Sequence, residues 1–290
     1  MSKTRTGGYA IGIRRLNSDW QTDIWDVVQW AKVNDFDAVD LRNGGDNDVH
    51  TVAGAGLRVG SIDLADWQGM ICSDNGRRAE AIERNRDHTR NCADIGSVNH
   101  FVVMLPEDPG LPRHDNFRYM IDSYGELATV LMKSGACVVI EGWPGPGALC
   151  STPEGYRSLF RECPSATIGI NYDPSHLLRM GIDPLRFLDE FGDRMFHTHG
   201  KDTELLPEGT YEYGNYQDPT FGKPVAYGGM HWRYTIPGHG QMRWVEAFRM
   251  LESHNYNGCV SIELEDCNFN GAADTEKDGF IRARQYLEGC

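Results

Sequence analysis

Eight short apolar runs, spread over the whole chain and separated by stretches of helical periodicity, restrict this sequence more than any other feature. They are YAIGIRR (9–15), DAVDLR (37–42), LRVGSIDL (57–64), HFVVMLP (100–106), CVVIEGW (137–143), ATIGINYD (166–173), MFHTHGKD (195–202) and CVSIELED (259–266). They are rich in Val, Ile and Phe, and most are too short and too apolar to be surface helices, so they predict strands. Between them apolar residues recur every three to four positions, as in Trp20, Ile24, Val27, Val28 and Ala31, or Phe117, Ile121, Tyr124, Leu127 and Leu131. Asp183 followed by Pro184 reads as an N-cap and first helical residue, opening a helix to about Phe191. Met242–Leu251 continues the pattern, and Ile281, Tyr286 and Leu287 close the chain. Eight strands, most followed by helical sequence, are what a closed barrel needs, and 290 residues suit one barrel with insertions. The other parallel architecture, a doubly wound open sheet, commonly carries a glycine-rich phosphate turn after its first strand; here RRLNSDW follows. The 33 glycines are scattered without a repeat or a linker-like run. The expectation is an α/β protein with a single (β/α)8 TIM barrel over residues 1–290.

One connection is abnormal. Residues 203–240 run from the seventh strand to the next helix, with Gly and Pro throughout and seven aromatics: Tyr211, Tyr213, Tyr216, Phe221, Tyr227, Trp232 and Tyr234. Loops of that length are usually functional or disordered, and disordered segments are poor in aromatics, so an ordered lid or an oligomer contact is expected. Charge excludes one class of partner. Asp+Glu outnumber Lys+Arg by 42 to 28, a net −14, which argues against nucleic acid because phosphate binding depends on Lys and Arg. The N-terminus has no apolar signal segment and no run is long enough to span a membrane, so a cytoplasmic protein is expected, with no membrane partner. The eight cysteines contain no C-x-x-C pair and read as free thiols, several buried in strands.

In a barrel the C-terminal strand ends converge on one mouth. Strand five ends in Glu141; strand six in Asp173, with His176 just beyond; strand seven in His197, His199, Lys201 and Asp202; strand eight in Glu263 and Glu265. Alternation puts Glu263 and Glu265 on one side, and likewise His197 and His199, without saying which of each pair serves a site. Two Glu, one Asp and one His from four successive strands form a plausible site for one divalent cation, since oxygen-dominated ligation with one imidazole suits Mn²⁺, Mg²⁺ or Co²⁺. Singly, each acid could instead cap a helix or pair with an arginine.

The endings Glu141, Asp173-Pro174-Ser175-His176, His199-Gly200-Lys201-Asp202, the turn Pro237-Gly238-His239-Gly240 and Glu263 resemble the xylose-isomerase-like TIM-barrel superfamily. Within it the similarity is to the sugar (phosphate) isomerase/epimerase branch, with its ketose 3-epimerases, inosose dehydratases and keto-glycoside lyases. It is strong from strand five onward and topological before that. The resemblance implies one divalent cation, Mn²⁺ first and Mg²⁺ or Co²⁺ as alternatives, held by Glu141, Asp173, His199 and Glu263. It also implies that His176 and Arg233 contact substrate oxygens, and that Glu141 and Glu263 exchange a proton with the carbon beside a carbonyl. The cation would polarise that carbonyl and stabilise the enediolate left by proton loss.

Lys201 either stabilises oxyanion charge or forms a salt bridge with Asp202 or Glu265, whereas Asp202 reads as structural and His197 as a satisfied barrel histidine. Trp143 and Trp232 are candidates for stacking on a sugar ring, against core packing. His231 and His239 are candidate acid/base groups from the long loop, against a solvent-facing role. The function expected is a metal-dependent isomerase or epimerase of a sugar or keto-sugar. The alternative is a lyase that cleaves a 3-keto-glycoside by β-elimination, and a non-catalytic sugar-binding barrel is a third. A homo-oligomer is expected, with a small partner subunit in the deglycosidase case. A three-metal nuclease of the same superfamily is disfavoured, because the first four strand ends offer Arg14, Arg42, Asp63 and Met104 and no histidine.

Overall fold

The computed structural model describes residues 8–42 and 46–290. Each of the eight apolar runs holds one strand of a closed parallel barrel: β1 (Ala10–Arg14), β2 (Ala38–Leu41), β3 (Arg58–Asp63), β4 (Asn99–Val103), β5 (Cys137–Glu141), β6 (Ile168–Tyr172), β7 (Met195–Gly200) and β10 (Cys259–Ile262). Their order around the barrel is β1-β10-β7-β6-β5-β4-β3-β2. The helices are α1 (Ile24–Val33), α2 (Asp46–Gly54), α3 (Asn75–Asn91), α4 (Arg113–Ser134), α5 (Pro153–Glu162), α6 (Pro174–Arg179), α7 (Pro184–Phe191), α8 (Pro207–Tyr213), α9 (Trp244–Ser253) and α10 (Ala273–Gly289). The stretch read for a signal segment begins with residues 1–7, which lie outside the described residues. Among the described residues no helix is long and apolar enough to cross a membrane.

The chain divides into two compact units. One runs from Val39 to Tyr172 and adds Arg194–Thr198. There β4 pairs with β5 and β5 with β6, with Val138 opposite Ile168 and Glu141 opposite Asn171. Val138, Val139, Ile140, Ile168 and Ile170 are all buried, as expected of parallel strands covered on both faces. Gly169 has no room for a side chain, because a Cβ there would lie 2.2 Å from the Phe196 ring. The loop after β3 is pinned by Asp66, which accepts hydrogen bonds from both terminal nitrogens of Arg77 at 2.7 Å and from Arg84 at 3.1 Å. The Arg77 guanidinium holds its carboxyl below the usual range against the opposing effect of burial.

The other unit comprises the described residues up to Ala38, Asp173–Asp193 and His199–Cys290. Its β1 pairs with β10, Ala10 opposite Cys259 and Ile13 opposite Ile262. The 203–240 connection is not a bare loop. It forms an antiparallel pair, β8 (Asp202–Leu205) with β9 (Trp232–Thr235), enclosing α8. Thr203 Oγ1 donates to the Ser175 carbonyl at 2.9 Å and ties this hairpin to α6. Asp202 is structural: its buried carboxylate accepts from the backbone N–H of Thr203 at 2.8 Å, Met242 at 2.9 Å and Gly238 at 3.3 Å, which anchors the 237–240 turn. Burial raises its pKa, and these donors oppose the rise.

Candidate active site

β6 ends at Tyr172, and Asp173 leaves the strand in an extended conformation as the N-cap of α6, with Pro174 at the first helical position. Its Oδ1 accepts from the Ser175 N–H at 2.9 Å and the Ser175 hydroxyl at 2.6 Å. Oδ2 turns away from the helix and meets Lys201 Nζ at 3.1 Å, His176 Nε2 at 3.3 Å and His199 Nδ1 at 3.9 Å. Asp173, His176, His199 and Lys201 are all buried.

Glu263 follows the last residue of β10, so it projects from irregular backbone just past the strand. His199 Nδ1 is 3.5 Å from Glu263 Oε2, and Arg14 Nε is 3.5 Å from Oε1. Lys201 Nζ donates to Glu263 Oε2, and also to Glu265 Oε2 at 3.0 Å. One ammonium therefore serves three carboxylates. Burial works against ionised Glu263, but Lys201, His199 and Arg14 outweigh it and hold the carboxyl well below its usual range. Ligand atoms of Asp173, His176 and Glu263 lie within 4.8 Å of one another, with His199 beside the same oxygens. Carboxylate oxygens with imidazole nitrogens form a donor set that fits a divalent cation of the Mg²⁺ or Mn²⁺ type.

Glu141, the last residue of β5, is buried and accepts from the Asn171 side chain at 2.9 Å. His197 Nε2 lies 2.7 Å from Asp40 Oδ2, a buried pair, so it is a satisfied barrel histidine. Trp143 is half-buried beyond β5, with its ring laid against Gly145, where a Cβ would sit 1.9 Å from the indole. Arg233 is engaged by two acids, donating to Glu204 at 2.6 Å and Asp266 at 3.1 Å. His231 is half-buried and its carbonyl accepts from the Leu206 N–H at 2.8 Å, whereas His239 is exposed.

Two side chains at the site are not among the candidates that the sequence singles out for it. Tyr234, on β9, places its hydroxyl 2.6 Å from His176 Nδ1, and Arg179, on the last turn of α6, donates to that hydroxyl at 2.6 Å. The Arg179 guanidinium also lies over the Trp232 ring at 4.3 Å, and Lys201 Nζ over the Tyr234 ring at 4.6 Å. Arg179 carried a signal, since it is three residues from His176 and shares its face of the helix.

Comparison with known proteins agrees with this architecture. The family model described as xylose isomerase-like TIM barrel matches residues 29–289. This chain belongs to that family. Among curated relatives of this xylose isomerase-like barrel, the uncharacterized protein YfiH of Bacillus subtilis is 33% identical over 126 residues, covering 40% of this chain and 38% of that protein. An inosose dehydratase of Geobacillus kaustophilus is 24% identical over 225 residues, covering 73% of this chain and 70% of the relative. Inosose dehydratase from Clostridium beijerinckii is 22% identical, over 60% of this chain and 54% of its own. The chain thus spans between about two fifths and seven tenths of these relatives' lengths. Among solved structures, the 3-keto-D-glucoside 4-epimerase YcjR of E. coli superposes with a TM-score of 0.70 at 15% identity, over 97% of this chain and 100% of that one. The D-psicose 3-epimerase of Clostridium cellulolyticum H10 gives 0.69 at 14%, over 96% and 98%. At such identities the superpositions speak for the fold alone.

Proposed function

We propose that this xylose isomerase-like barrel is a divalent-metal-dependent isomerase or epimerase that removes and returns a proton beside the carbonyl of a sugar or keto-sugar. The observation that carries this reading is the group in which buried Asp173, His199 and Lys201 converge with the part-buried Glu263, their ligand oxygens close together. Such a group is costly unless a cation joins it: three carboxylates share Lys201, with Arg14 3.5 Å from one of them. In the proposal Glu141 completes the set, as the terminal residue of the barrel strand beside β6, and the ligands are Glu141, Asp173, His199 and Glu263. A bound cation, Mn²⁺ first among the candidates, supplies polarisation of the substrate carbonyl and stabilisation of the charge left by proton loss.

The chain's own residues do the rest. Glu263, held as a carboxylate, and Glu141 take and return the proton on carbon. Lys201, held by its acids, places a positive charge beside oxygen that gains negative charge. His176 and the Arg179–Trp232 stack bind the substrate's hydroxyls and apolar ring face, and Arg233, Trp143 and His231 are further substrate-binding candidates.

The inosose dehydratase relatives favour a second reading. There the same proton abstraction is followed by β-elimination: the C–H electron pair becomes a C=C bond, the bond from the β-carbon to oxygen breaks, and that oxygen leaves protonated. NMR of the Mg²⁺-loaded protein in D₂O separates the two. Deuterium beside the carbonyl of an intact ketose establishes the isomerase or epimerase. Loss of water or aglycone from a keto-inositol or a 3-oxidised glycoside, with an unsaturated product, establishes the lyase. No exchange and no elimination in either set, with metal bound, overturns both.

A further inference from the structure

We propose that Tyr234 and Arg179 are positioning residues that hold His176 in its Nε2–H tautomer, so that the nitrogen facing the acids is a hydrogen-bond donor and not a ligand for a cation. Geometry alone leaves two histidines eligible, since His176 Nε2 stands 3.3 Å from Asp173 Oδ2 and His199 Nδ1 stands 3.9 Å from it. Counting protons separates them. Arg179 carries only N–H groups, so its 2.6 Å contact with the Tyr234 oxygen must be a donation to that oxygen. The phenol then has one hydrogen of its own to place, and Tyr234 is 4% exposed. Among the described residues its oxygen has one other partner, His176 Nδ1 at 2.6 Å. If Nδ1 carried a hydrogen it would donate to the phenol oxygen, and the buried hydroxyl hydrogen would be left without an acceptor, which is unfavourable. The hydroxyl therefore donates to Nδ1, Nδ1 is the lone-pair nitrogen, and in the neutral ring the proton sits on Nε2.

Nε2 lies 3.3 Å from Asp173 Oδ2 but outside hydrogen-bond geometry, so its N–H is not spent on that oxygen. A protonated nitrogen cannot bind a cation through its lone pair, so in the ligand set the imidazole belongs to His199. The chain Arg179–Tyr234–His176 works as an outer shell that sets which atom of a histidine is offered to the site. It arises from the inserted hairpin, since β9 supplies Tyr234 and α6 supplies both His176 and Arg179. The identity of the oxygen that accepts from Nε2–H rests on the keto-sugar reading, whereas the tautomer does not.

Long-range ¹H–¹⁵N correlation on protein labelled at histidine tests this, with and without Mg²⁺, the His176 signals being identified by their loss in H176Q. The expected pattern is pyrrole-type Nε2 and pyridine-type Nδ1 in both states. Y234F and R179M are expected to lose that pattern, towards mixed or reversed tautomers, and R179K, which keeps a donor, to retain it. Pyrrole-type Nδ1 in the unmodified protein overturns the proposal, as does an unchanged pattern in both Y234F and R179M. If one variant fails to fold the other carries the test, and the unmodified protein's own spectrum decides in any case. Because no substrate is present, failure here leaves the sugar chemistry standing, and absent turnover leaves the tautomer standing.

Discussion

Two Asp-Pro pairs ten residues apart do the same local work and differ in everything else. Asp173-Pro174 opens α6 and Asp183-Pro184 opens α7, each aspartate accepting from the N–H two residues on at 2.9 Å. Asp183 spends the same oxygen twice, on Leu185 and on Arg186 at 3.2 Å, and it is exposed. Asp173 is buried, and its second oxygen faces Lys201, His176 and His199. A helix cap is thus a local device that any Asp-Pro can build, while a site residue is a cap whose spare oxygen the barrel has surrounded with charge.

The largest effect is expected for D173N. Asparagine caps helices as well as aspartate, so α6 should persist and the melting temperature change little. The carboxylate oxygen turned to the cluster is lost, however, and outer-shell changes alone typically cost 10–100-fold in metal affinity or activity. Activity and Mg²⁺ affinity should therefore each fall by at least about 100-fold, read by turnover and by isothermal titration. D183N should leave both unchanged. Equal effects from the two variants would erase the distinction.

K201M removes the ammonium that answers Asp173, Glu263 and Glu265. Breaking a buried pair by deleting one partner costs about 3–5 kcal/mol, and here the charge left on Asp173 is the fully buried one, Glu263 and Glu265 being partly exposed. That loss should appear in denaturant unfolding without metal and shrink on adding Mg²⁺, since a cation that binds the folded chain compensates by mass action. A loss that Mg²⁺ does not reduce would mean that the acids do not hold a cation.

A buried titratable group with no counter-charge among the described residues supplies the opposite extreme. His100, on β4, is buried with its ring 5.2 Å from that of His88 on α3. Burial first, and His88 second, push its pKa down to about 3. The sign follows from linkage. Between pH 6.5 and 3 the unfolded chain takes a proton there that the folded chain does not, so stability is full above pH 6.5 and is lost as pH falls. By pH 5 the loss should reach about 2 kcal/mol. H100L should lack that part of the slope, and urea unfolding of both proteins at pH 7 and pH 5 measures the difference. Identical slopes would show that His100 is protonated in the folded state.

The same contrast between local and assembled features explains how much was legible beforehand. All eight barrel strands show as apolar runs because parallel strands are buried on both faces. α7 shows its first residue because Asp-Pro is a local signal, and α4 shows because its buried face has apolar period. α3 stayed hidden: its buried residues include Asn85, His88 and Thr89, which leave little apolar period to detect. α6, six residues long, is too short for any periodicity. At the site, Asp173, His176, His199, Lys201 and Glu263 stand out because ionisable residues at strand ends are unusual. Tyr234 did not, because it sits among tyrosines of the same segment that resemble it in sequence. Tyr211 and Tyr216 are 87% and 91% exposed, while pairing with Thr203 across the hairpin takes Tyr234 down to 4%. That pairing is a long-range fact, absent from any window of the chain.

The smallest effect belongs to Asp183, and it bounds the comparison from below. D183A removes the acceptor of two helix N–H groups at the start of α7. Loss of an N-cap side chain costs about 1 kcal/mol, and Pro184 still presets the first turn, so the helix should form nonetheless. Its apolar face, Leu185, Phe187, Leu188 and Phe191, is buried and holds α7 in place. Unfolding in urea should shift by about 1 kcal/mol, while Mg²⁺ affinity and turnover stay at the unmodified level. A fall in turnover on this exposed residue would show that the position of α7 is transmitted through the ten residues back to Asp173. The two Asp-Pro pairs would then form one coupled device and not two independent caps.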